Sequence, residues 1–377
     1  MRLTSRKVVF IIIYTVLFCT YIFPTGIIEE GNYTISKFIF AFVVGSLYFL
    51  SILSSNQVNK YELFFNLTIV IIAVITRNVN YLLFITLSYL EKIIKFKREI
   101  IDNLNRSNIL YICLFFTIVY SLCFIGSDDS RGRLAFTAIK EINQSGLAIF
   151  CLGCMLLTKN RVVGIFTLLF GCLTFSRSYF LALLCLIVLR NFGKGKKSFK
   201  KVISFLTYTK ITFVSSILLI FLGIFYINQY KLGNIVLSSN TTNRLVSFLD
   251  YSNFFRFQAI IILIMILRDN FFDVLFGMSN DFYLEIGSKM SSGMGLPFRG
   301  TPPHNLFFSH LKIYGIFSII ETIYISRILS KIVNYRNFGI YIGIVLYSIF
   351  LGAGLYTYWL YLTVFTMIYY EESFNFN

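Results

Sequence analysis

The chain has 377 residues, and its composition excludes a soluble globular protein. Hydrophobic residues make up 57% of the sequence, the mean hydropathy is +0.75, and 14% of residues are charged, against about 25% in a typical soluble domain. The net charge of +17 reflects membrane topology and lipid headgroups, so nucleic acid is not expected as a partner. We therefore expect one all-α polytopic integral membrane domain, residues 1–377.

Apolar runs recur along the chain and predict about twelve transmembrane helices, because backbone polar groups must be satisfied inside the bilayer. Several runs are shorter than the roughly 20 residues of a straight span, notably the pairs that flank Arg77 and Arg177. Each pair could instead be a hairpin that dips into the membrane, and the topology downstream is the same in both cases. The runs lie near 8–24, 37–54, 62–76, 78–90, 108–125, 145–158, 162–175, 178–190, 211–227, 305–325, 338–354 and 356–370.

Lysine and arginine fix the orientation of these helices. With a cytoplasmic N-terminus, most of the 34 basic residues fall in short cytoplasmic segments, as the positive-inside rule requires. Both termini are then cytoplasmic, and the long stretch Asn228–Pro303, between the ninth and tenth helices, is external. The first apolar run has no small-residue cleavage site, so we expect it to be retained as a helix.

The external stretch contains an apolar segment, Ile260–Leu267, that is too short for a thirteenth span. Counting it as a span would also place Arg327 and the basic residues after it outside. We therefore expect an interfacial or re-entrant helix from about Asn253 to Arg268. A glycine-rich stretch follows up to Gly300 and could gate a site.

The cysteines mostly fall within apolar runs. Cys151 and Cys154 form a C-x-x-C on one predicted membrane helix, with no second pair of ligands. We interpret them as packing residues. The sequence therefore predicts no metal site, no disulfide framework and no cofactor.

His304 is the first candidate for chemistry. It stands in Pro302-Pro303-His304-Asn305, where the external stretch meets the tenth predicted helix, in a chain with 2 histidines. An imidazole exchanges protons near neutral pH, so His304 is a candidate proton acceptor. Alternatively, His304 is only a residue next to the start of this helix and takes no part in a reaction. The other histidine, His310, is assigned to structure.

Arginines on the external side are candidates for binding an anion. Arg177, in Ser176-Arg177-Ser178, lies at a short turn between apolar runs, where a cation is costly unless it is paired or faces water; it could also be a snorkelling helix-end cation. Arg256 is flanked by aromatic residues and is a ligand-binding residue or an interfacial anchor. Arg131 and Arg133 lie in another external loop, where solvated arginines are the alternative.

These motifs occur in an order that resembles the bacterial O-antigen polymerase and O-antigen ligase superfamily. The external Arg131-Gly132-Arg133 loop precedes an Asn143-Gln144-Ser145-Gly146 helix start, and then Ser176-Arg177-Ser178. The segment led by Arg256 ends in Leu275-Phe276-Gly277, and Pro303-His304-Asn305 begins a helix with Gly315 further along. The likeness covers the chain from about Arg131 to Ile319. Tyr179 and Phe180 stand where the family usually has small residues.

The resemblance implies metal-independent glycosyl transfer from an undecaprenyl-diphosphate-linked oligosaccharide to a second such unit, at the outer face of the bacterial cytoplasmic membrane. Arg177 and Arg256 would hold the diphosphate through bidentate bonds, and His304 would orient or deprotonate the acceptor hydroxyl. An alternative assignment, with His304 on the phosphate and another group as the base, stays open. Membrane lipids, a chain-length regulator and a flippase are the implied partners. The implied substrate-binding residues are Arg131, Arg133, Asn143 and Asn305.

Three other functions stay open. An O-antigen ligase would use the same donor and transfer the finished polysaccharide to a lipid A core; polymerase is preferred because each polysaccharide needs its own. Glu29-Glu30 could serve a metal-dependent membrane glycosyltransferase of another lineage. A polysaccharide-unit flippase would also be basic with about twelve helices, but the chain lacks the repeated halves common in transporters.

Overall fold

The computed structural model describes residues 5–23, 39, 42–43, 45–46, 60–76, 81, 85, 87–123, 142–189, 206–235, 249, 251–300, 303, 305–351 and 358–373. Every regular element in these ranges is a helix, and none of them contains a strand. The all-α prediction is therefore confirmed for this part of the chain. Most of the predicted spans 37–54 and 78–90 lies outside the described residues, as do Arg77, Glu29 and Glu30.

The chain divides into two compact units. The first unit consists of Met1–Phe199, Ile328–Tyr347 and Ala353–Asn377. The second consists of Lys200–Arg327 and Ser348–Gly352.

The first unit is built around one buried helix. The described elements of its first segment, Met1–Phe199, are α1 (Ser5–Leu17, continued by a π-helical turn, Phe18–Ile22), α2 (Lys60–Ile75), α3 (Ser88–Lys95), α4 (Lys97–Arg106), α5 (Ile109–Cys123), α6 (Ile142–Lys159), α7 (Arg161–Gly171, continued by a 3₁₀ turn, Cys172–Thr174) and α8 (Arg177–Leu189).

Helix α6 forms the core of the first unit. Residues 145–156 are all buried, and α6 packs against α5, α7 and α8. Gly153 lets α7 approach, because a Cβ there would come within 2.7 Å of Leu168. Tyr21 donates a hydrogen bond from its hydroxyl to the Ala148 carbonyl at 2.7 Å. A helix that is apolar all round has no solvated face, which agrees with its central position.

Helices α3 and α4 lie mostly between the predicted spans 78–90 and 108–125, where no helix was predicted. Their apolar residues recur at helical spacing, and Leu90, Ile93, Ile100, Ile101 and Leu104 are fully or almost fully buried. Both helices pack against the C-terminal helix. Long apolar runs do not reveal these helices, because more than half of their residues are polar, as in an amphipathic helix.

The second unit contains α9 (Tyr208–Lys231), α10 (Tyr251–Asp269), α11 (Phe271–Phe276), α12 (Asn280–Gly293) and α13 (Leu306–Tyr314). Three helices follow: α14 (Phe317–Ile332), α15 (Phe338–Leu351) and α16 (Tyr358–Ser373). The boundaries between the two units fall within α14 and α15.

Helix α9 has its large apolar side chains on the outside. Its buried residues recur every three or four positions and include small or polar ones, Thr212, Ser216 and Gly223. Phe213, Val214 and Phe221 are each about two-thirds exposed, at 67%, 65% and 65%. This pattern is the reverse of a helix on a soluble protein, whose exposed face is polar.

Among the described helices, Tyr208–Lys231 is the one long and apolar enough to cross a membrane. Shorter apolar helices occupy Lys7–Ile22, Asn66–Ile75, Ile109–Leu122, Gln144–Lys159, Arg161–Thr174, Arg177–Leu189 and Phe338–Ile349. The helical nature of the chain is thus observed. The predicted number of spans stays a prediction.

The predicted continuous span 305–325 is two helices in the structure. α13 ends after nine residues, Gly315 adopts φ +54°, and α14 begins at Phe317. Such a left-handed conformation costs glycine little and stops a helix. A hydropathy count did not locate this break because Gly315 lies in an otherwise apolar run.

The ends of α11 and α13 interlock at two glycines. Met278 donates its N–H to the Lys312 carbonyl at 2.6 Å, and Ile316 donates to the Val274 carbonyl at 2.8 Å. A Cβ on Gly277 would lie 2.7 Å from the Lys312 oxygen, and one on Gly315 would lie 2.5 Å from the Val274 oxygen. The two turns therefore satisfy each other's last helical carbonyls, which have no partner within their own helices.

Replacing Gly277 with alanine should destabilise the protein by more than about 2 kcal/mol, because a positive φ and a backbone clash act together. Gly295→Ala is the matched control, since Gly295 also has positive φ (+66°) but no atom within 4 Å of the added Cβ. It should cost about 1 kcal/mol. Thermal unfolding in detergent measures both, and equal losses would contradict the interlocking.

Candidate functional site

Arg177 is the first residue of α8 in the first unit. The 3₁₀ turn after α7 ends at Thr174, Phe175 takes a left-handed conformation, and α8 then starts. Ser176 and Ser178 are buried, at 3% and 7% exposure, while Arg177 is partly buried. The predicted Ser-Arg-Ser turn is therefore present, and its cation stands at the N-terminal end of a helix, where the helix dipole adds to the attraction of an anion.

The Asn143-Gln144-Ser145-Gly146 helix start lies against this turn. A Cβ on Gly146 would be 3.5 Å from the Thr174 hydroxyl oxygen and 3.5 Å from the Tyr179 ring. Tyr179 donates its hydroxyl to the Leu168 carbonyl at 2.5 Å, and its ring also lies close to Gly171. The large side chain of Tyr179 is thus accommodated by two glycines. Gly146 therefore lies against residues that flank the Ser176-Arg177-Ser178 motif.

Arg256 lies in the second unit, in the second turn of α10. Aromatic rings surround its position: Phe254 stacks on Tyr230 with centroids 4.7 Å apart, and Phe257 stacks on Tyr226 at 4.9 Å. Phe254 is fully buried, whereas Arg256 is partly buried. This aromatic packing fixes the helix from which the guanidinium projects.

Hydrogen bonds from Gln258 link α10 to the end of the glycine-rich stretch. Its side-chain amide donates to the Ser291 hydroxyl at 2.9 Å and to the Pro297 carbonyl at 2.8 Å. Ser291 in turn donates to the Leu296 carbonyl at 3.0 Å. Gln258 was not among the predicted site residues. A glutamine two residues after Arg256, in an apolar helix, nevertheless indicates that a buried polar partner exists.

Asn305 is the residue before α13, and both polar atoms of its side-chain amide form hydrogen bonds that hold the start of this helix. Its oxygen accepts from the Phe308 N–H at 3.0 Å, as an N-cap does. Its nitrogen donates to the Ile349 carbonyl at 2.7 Å, and the side chain is buried. These bonds assign Asn305 to placing the helix start. Its predicted contact with substrate stays a prediction.

The structure describes the side chain of none of the remaining predicted site residues. His304, Arg131 and Arg133 are not among the described residues, and Asn143 lies in α6 without a described side chain. Arg177 belongs to the first unit, and Arg256 and Asn305 belong to the second. Within the second unit α10, which carries Arg256, packs against α13, which Asn305 caps.

A buried ionisable pair in the second unit was missed from the sequence. Nδ1 of His310, on α13, lies against Oε2 of Glu321, on α14. Both side chains are almost inaccessible, with 3% and 9% exposure. A hydrogen bond joins these two atoms, and the tautomer of the imidazole decides which of them donates. Eleven residues of continuous helix would separate the two by about 16 Å along the axis, so the contact needs the break at Gly315.

Lys312 is a second buried ionisable group on α13. It is 5% exposed, and its ammonium lies 5.0 Å from the centre of the Tyr283 ring on α12. Tyr283 donates its hydroxyl to the Ala259 carbonyl on α10 at 3.2 Å. The sequence contained one indication of these buried groups: three ionisable residues lie inside one predicted apolar span. Such residues seldom occur in a membrane span without a partner.

On α11, Asp273 is another buried carboxyl close to the interlocked glycines. Burial raises the pKa of Asp273, and a hydrogen bond from Asn270 opposes this shift in part. That bond joins the Asn270 amide nitrogen to the Asp273 carboxylate at 2.8 Å. This hydrogen bond stabilises the short helix α11 immediately before Gly277.

In the described ranges no group of three or more His, Cys, Asp or Glu side chains is placed to hold a metal ion. Cys151 and Cys154 are buried in α6 with free thiols, which agrees with their interpretation as packing residues. Of the arginines predicted to bind an anion, the described part of the chain contains Arg177 and Arg256.

Comparison of the chain with protein-family models, with curated proteins and with solved structures gives no match. The family expectation accordingly rests on the residues and motifs described above.

Proposed function

We propose that this protein is a membrane glycosyltransferase that joins undecaprenyl-diphosphate-linked oligosaccharide repeat units, a surface-polysaccharide polymerase. The observation that carries the proposal is that the motifs behind the resemblance pack in pairs. Gly146 lies against the turn of Arg177 in the first unit. In the second, Leu275-Phe276-Gly277 interlocks with Gly315. Each contact thus joins residues of, or next to, two motifs that lie apart in the sequence.

A membrane setting is supported by the surface of the described helices. Phe64, Val162, Ile187 and Phe213 are each at least two-thirds exposed, at 73%, 76%, 66% and 67%. An exposed apolar surface of this kind is costly in water and is expected against lipid. We propose about twelve spans with both termini cytoplasmic, in the bacterial inner membrane.

The proposed chemistry uses arginine for the leaving group and histidine for the acceptor. A diphosphate that leaves an anomeric carbon gains charge, and a guanidinium offers two parallel charge-assisted bonds to it without titrating. Arg177 and Arg256 are assigned to this role. The acceptor hydroxyl must lose its proton as the glycosidic bond forms, and His304 is assigned as its base.

The proposed topology predicts where reporters are active. A periplasmic reporter fused after Ser292 should be active, because residues 228–303 are placed outside, and one fused after Gly195 should be inactive, because that basic segment is placed inside. Activity at both positions or the reverse pattern would contradict the topology.

Deleting the gene distinguishes the proposal from its two main alternatives. Loss of a polymerase should leave surface glycans of a single repeat unit, whereas loss of a flippase should remove the units from the surface. Loss of a ligase should leave long chains on the lipid carrier and none on lipid A core. Gel separation of surface and carrier-bound glycans measures all three, and either of the latter results would overturn the polymerase assignment.

A further inference from the structure

The backbone at Phe175 is in a conformation that an aromatic residue rarely takes. Its φ is +45° and its ψ is +34°, in the left-handed region. Every other positive φ in the described ranges belongs to a glycine, at positions 233, 277, 295, 300 and 315. Glycine adopts this region freely, whereas a bulky side chain there is strained. The chain therefore places phenylalanine where glycine or asparagine would be more stable.

Burial does not explain the aromatic ring. Phe175 is 42% exposed, while its neighbours Thr174 and Ser176 are buried, at 0% and 3%. Its N–H donates to the Cys172 carbonyl at 3.0 Å, a bond that any residue other than proline would make. Strained residues that the fold does not need are found at ligand-binding sites.

The ring stands beside the arginine assigned to the diphosphate. Phe175 and Arg177 are two residues apart, so their Cα atoms are separated by at most about 7 Å. A sugar linked to a diphosphate begins at the atom next to the phosphate, within reach of a side chain at that separation. The C–H face of a pyranose is flat and apolar, and an aromatic face is its complement.

We propose that Phe175 is a specificity-determining residue that contacts the first sugar of the lipid-diphosphate-linked oligosaccharide while Arg177 binds its diphosphate. This inference rests on the proposed function and adds the recognition of the sugar to it. In this proposal the cost of the left-handed backbone is retained because of the contact between the ring and the sugar.

The test uses two probes and the purified full chain in detergent. One probe is undecaprenyl diphosphate without sugar, and the other is the lipid-linked oligosaccharide extracted from cells that make the protein. Phe175→Gly and Phe175→Asn should unfold at the same or a higher temperature than the parent, because the strain is relieved. Both should bind the glycosylated probe about tenfold more weakly, with sugar-free binding changed by less than about twofold.

Three further variants make the result specific. Phe175→Tyr keeps the ring and should keep the preference for the glycosylated probe. Arg177→Lys should weaken the binding of both probes. Leu173→Ala removes an apolar side chain of similar exposure, 46%, from the same turn and should change neither affinity.

Two outcomes would overturn the inference, and they are distinguishable. If the parent binds both probes and the glycine and asparagine variants bind the glycosylated probe equally well, Phe175 does not contact sugar and the proposed function stands. If the parent binds neither probe, the proposed function fails and the role of Phe175 fails with it.

Discussion

Replacing Arg177 or Arg256 by lysine is expected to lower turnover by about tenfold or more, and His304→Ala by about a hundredfold or more. Lysine keeps the positive charge but lacks the planar fork that binds two phosphate oxygens at once. The loss should therefore occur mainly in the transition state, where the leaving group gains charge. Alanine at position 304 removes the proposed base. Chain elongation at matched amounts of protein in the membrane measures these effects.

Arg268→Lys is the matched control for the arginine variants. Arg268 lies on α10, the same helix as Arg256, is 71% exposed, and pairs with Asp269 at 2.7 Å. It has no assigned part in the reaction, so elongation should be close to that of the parent. If His304→Ala and both lysine variants elongate chains as the parent does, the assigned residues are not the site.

Removing one member of the buried His310–Glu321 pair is expected to cost about 3–5 kcal/mol of stability. Glu321→Ala leaves a buried imidazole without its carboxylate, and His310→Ala leaves a buried carboxylate without its partner. Replacing both by leucine removes the desolvation cost together with the contact. The double variant should therefore be more stable than either single variant, and thermal unfolding in detergent measures the difference.

The exposed ion pair of the same unit is the control for this experiment. Lys289 and Glu285 are 68% and 63% exposed and lie 2.6 Å apart, so Glu285→Ala should cost less than about 1 kcal/mol. A double leucine variant no more stable than either single variant would contradict the predicted coupling of His310 and Glu321. The folded double variant also tests the structural assignment of His310, because its elongation activity should then be largely retained.

Helices with long apolar runs could be predicted from the sequence with good bounds. The segment expected from about Asn253 to Arg268 is α10, Tyr251–Asp269, and the run near 211–227 is α9, Tyr208–Lys231. Hydropathy locates such helices because apolar side chains continue over several turns. It did not locate α3 and α4, which are amphipathic and depend on packing against other helices. It also missed the break at Gly315, because a glycine in an apolar run need not end a helix.

The site could be predicted less completely than the helices. The turn that carries Arg177 followed from a polar tripeptide between two apolar runs. The contact between Gly146 and that turn, and the pair His310–Glu321, depend on the tertiary fold and have no local pattern. The left-handed conformation of Phe175 was not predictable, because the preference of its residue type is the opposite.

The most direct test of the proposed function is the formation of glycosidic bonds by the purified protein in detergent, with chelator present and the lipid-diphosphate oligosaccharide as sole substrate. The proposed chemistry requires no sealed membrane and no metal, so the oligosaccharide should lengthen by whole repeat units with release of undecaprenyl diphosphate. Transport of the substrate across a sealed vesicle, without a new glycosidic bond in either preparation, would contradict it.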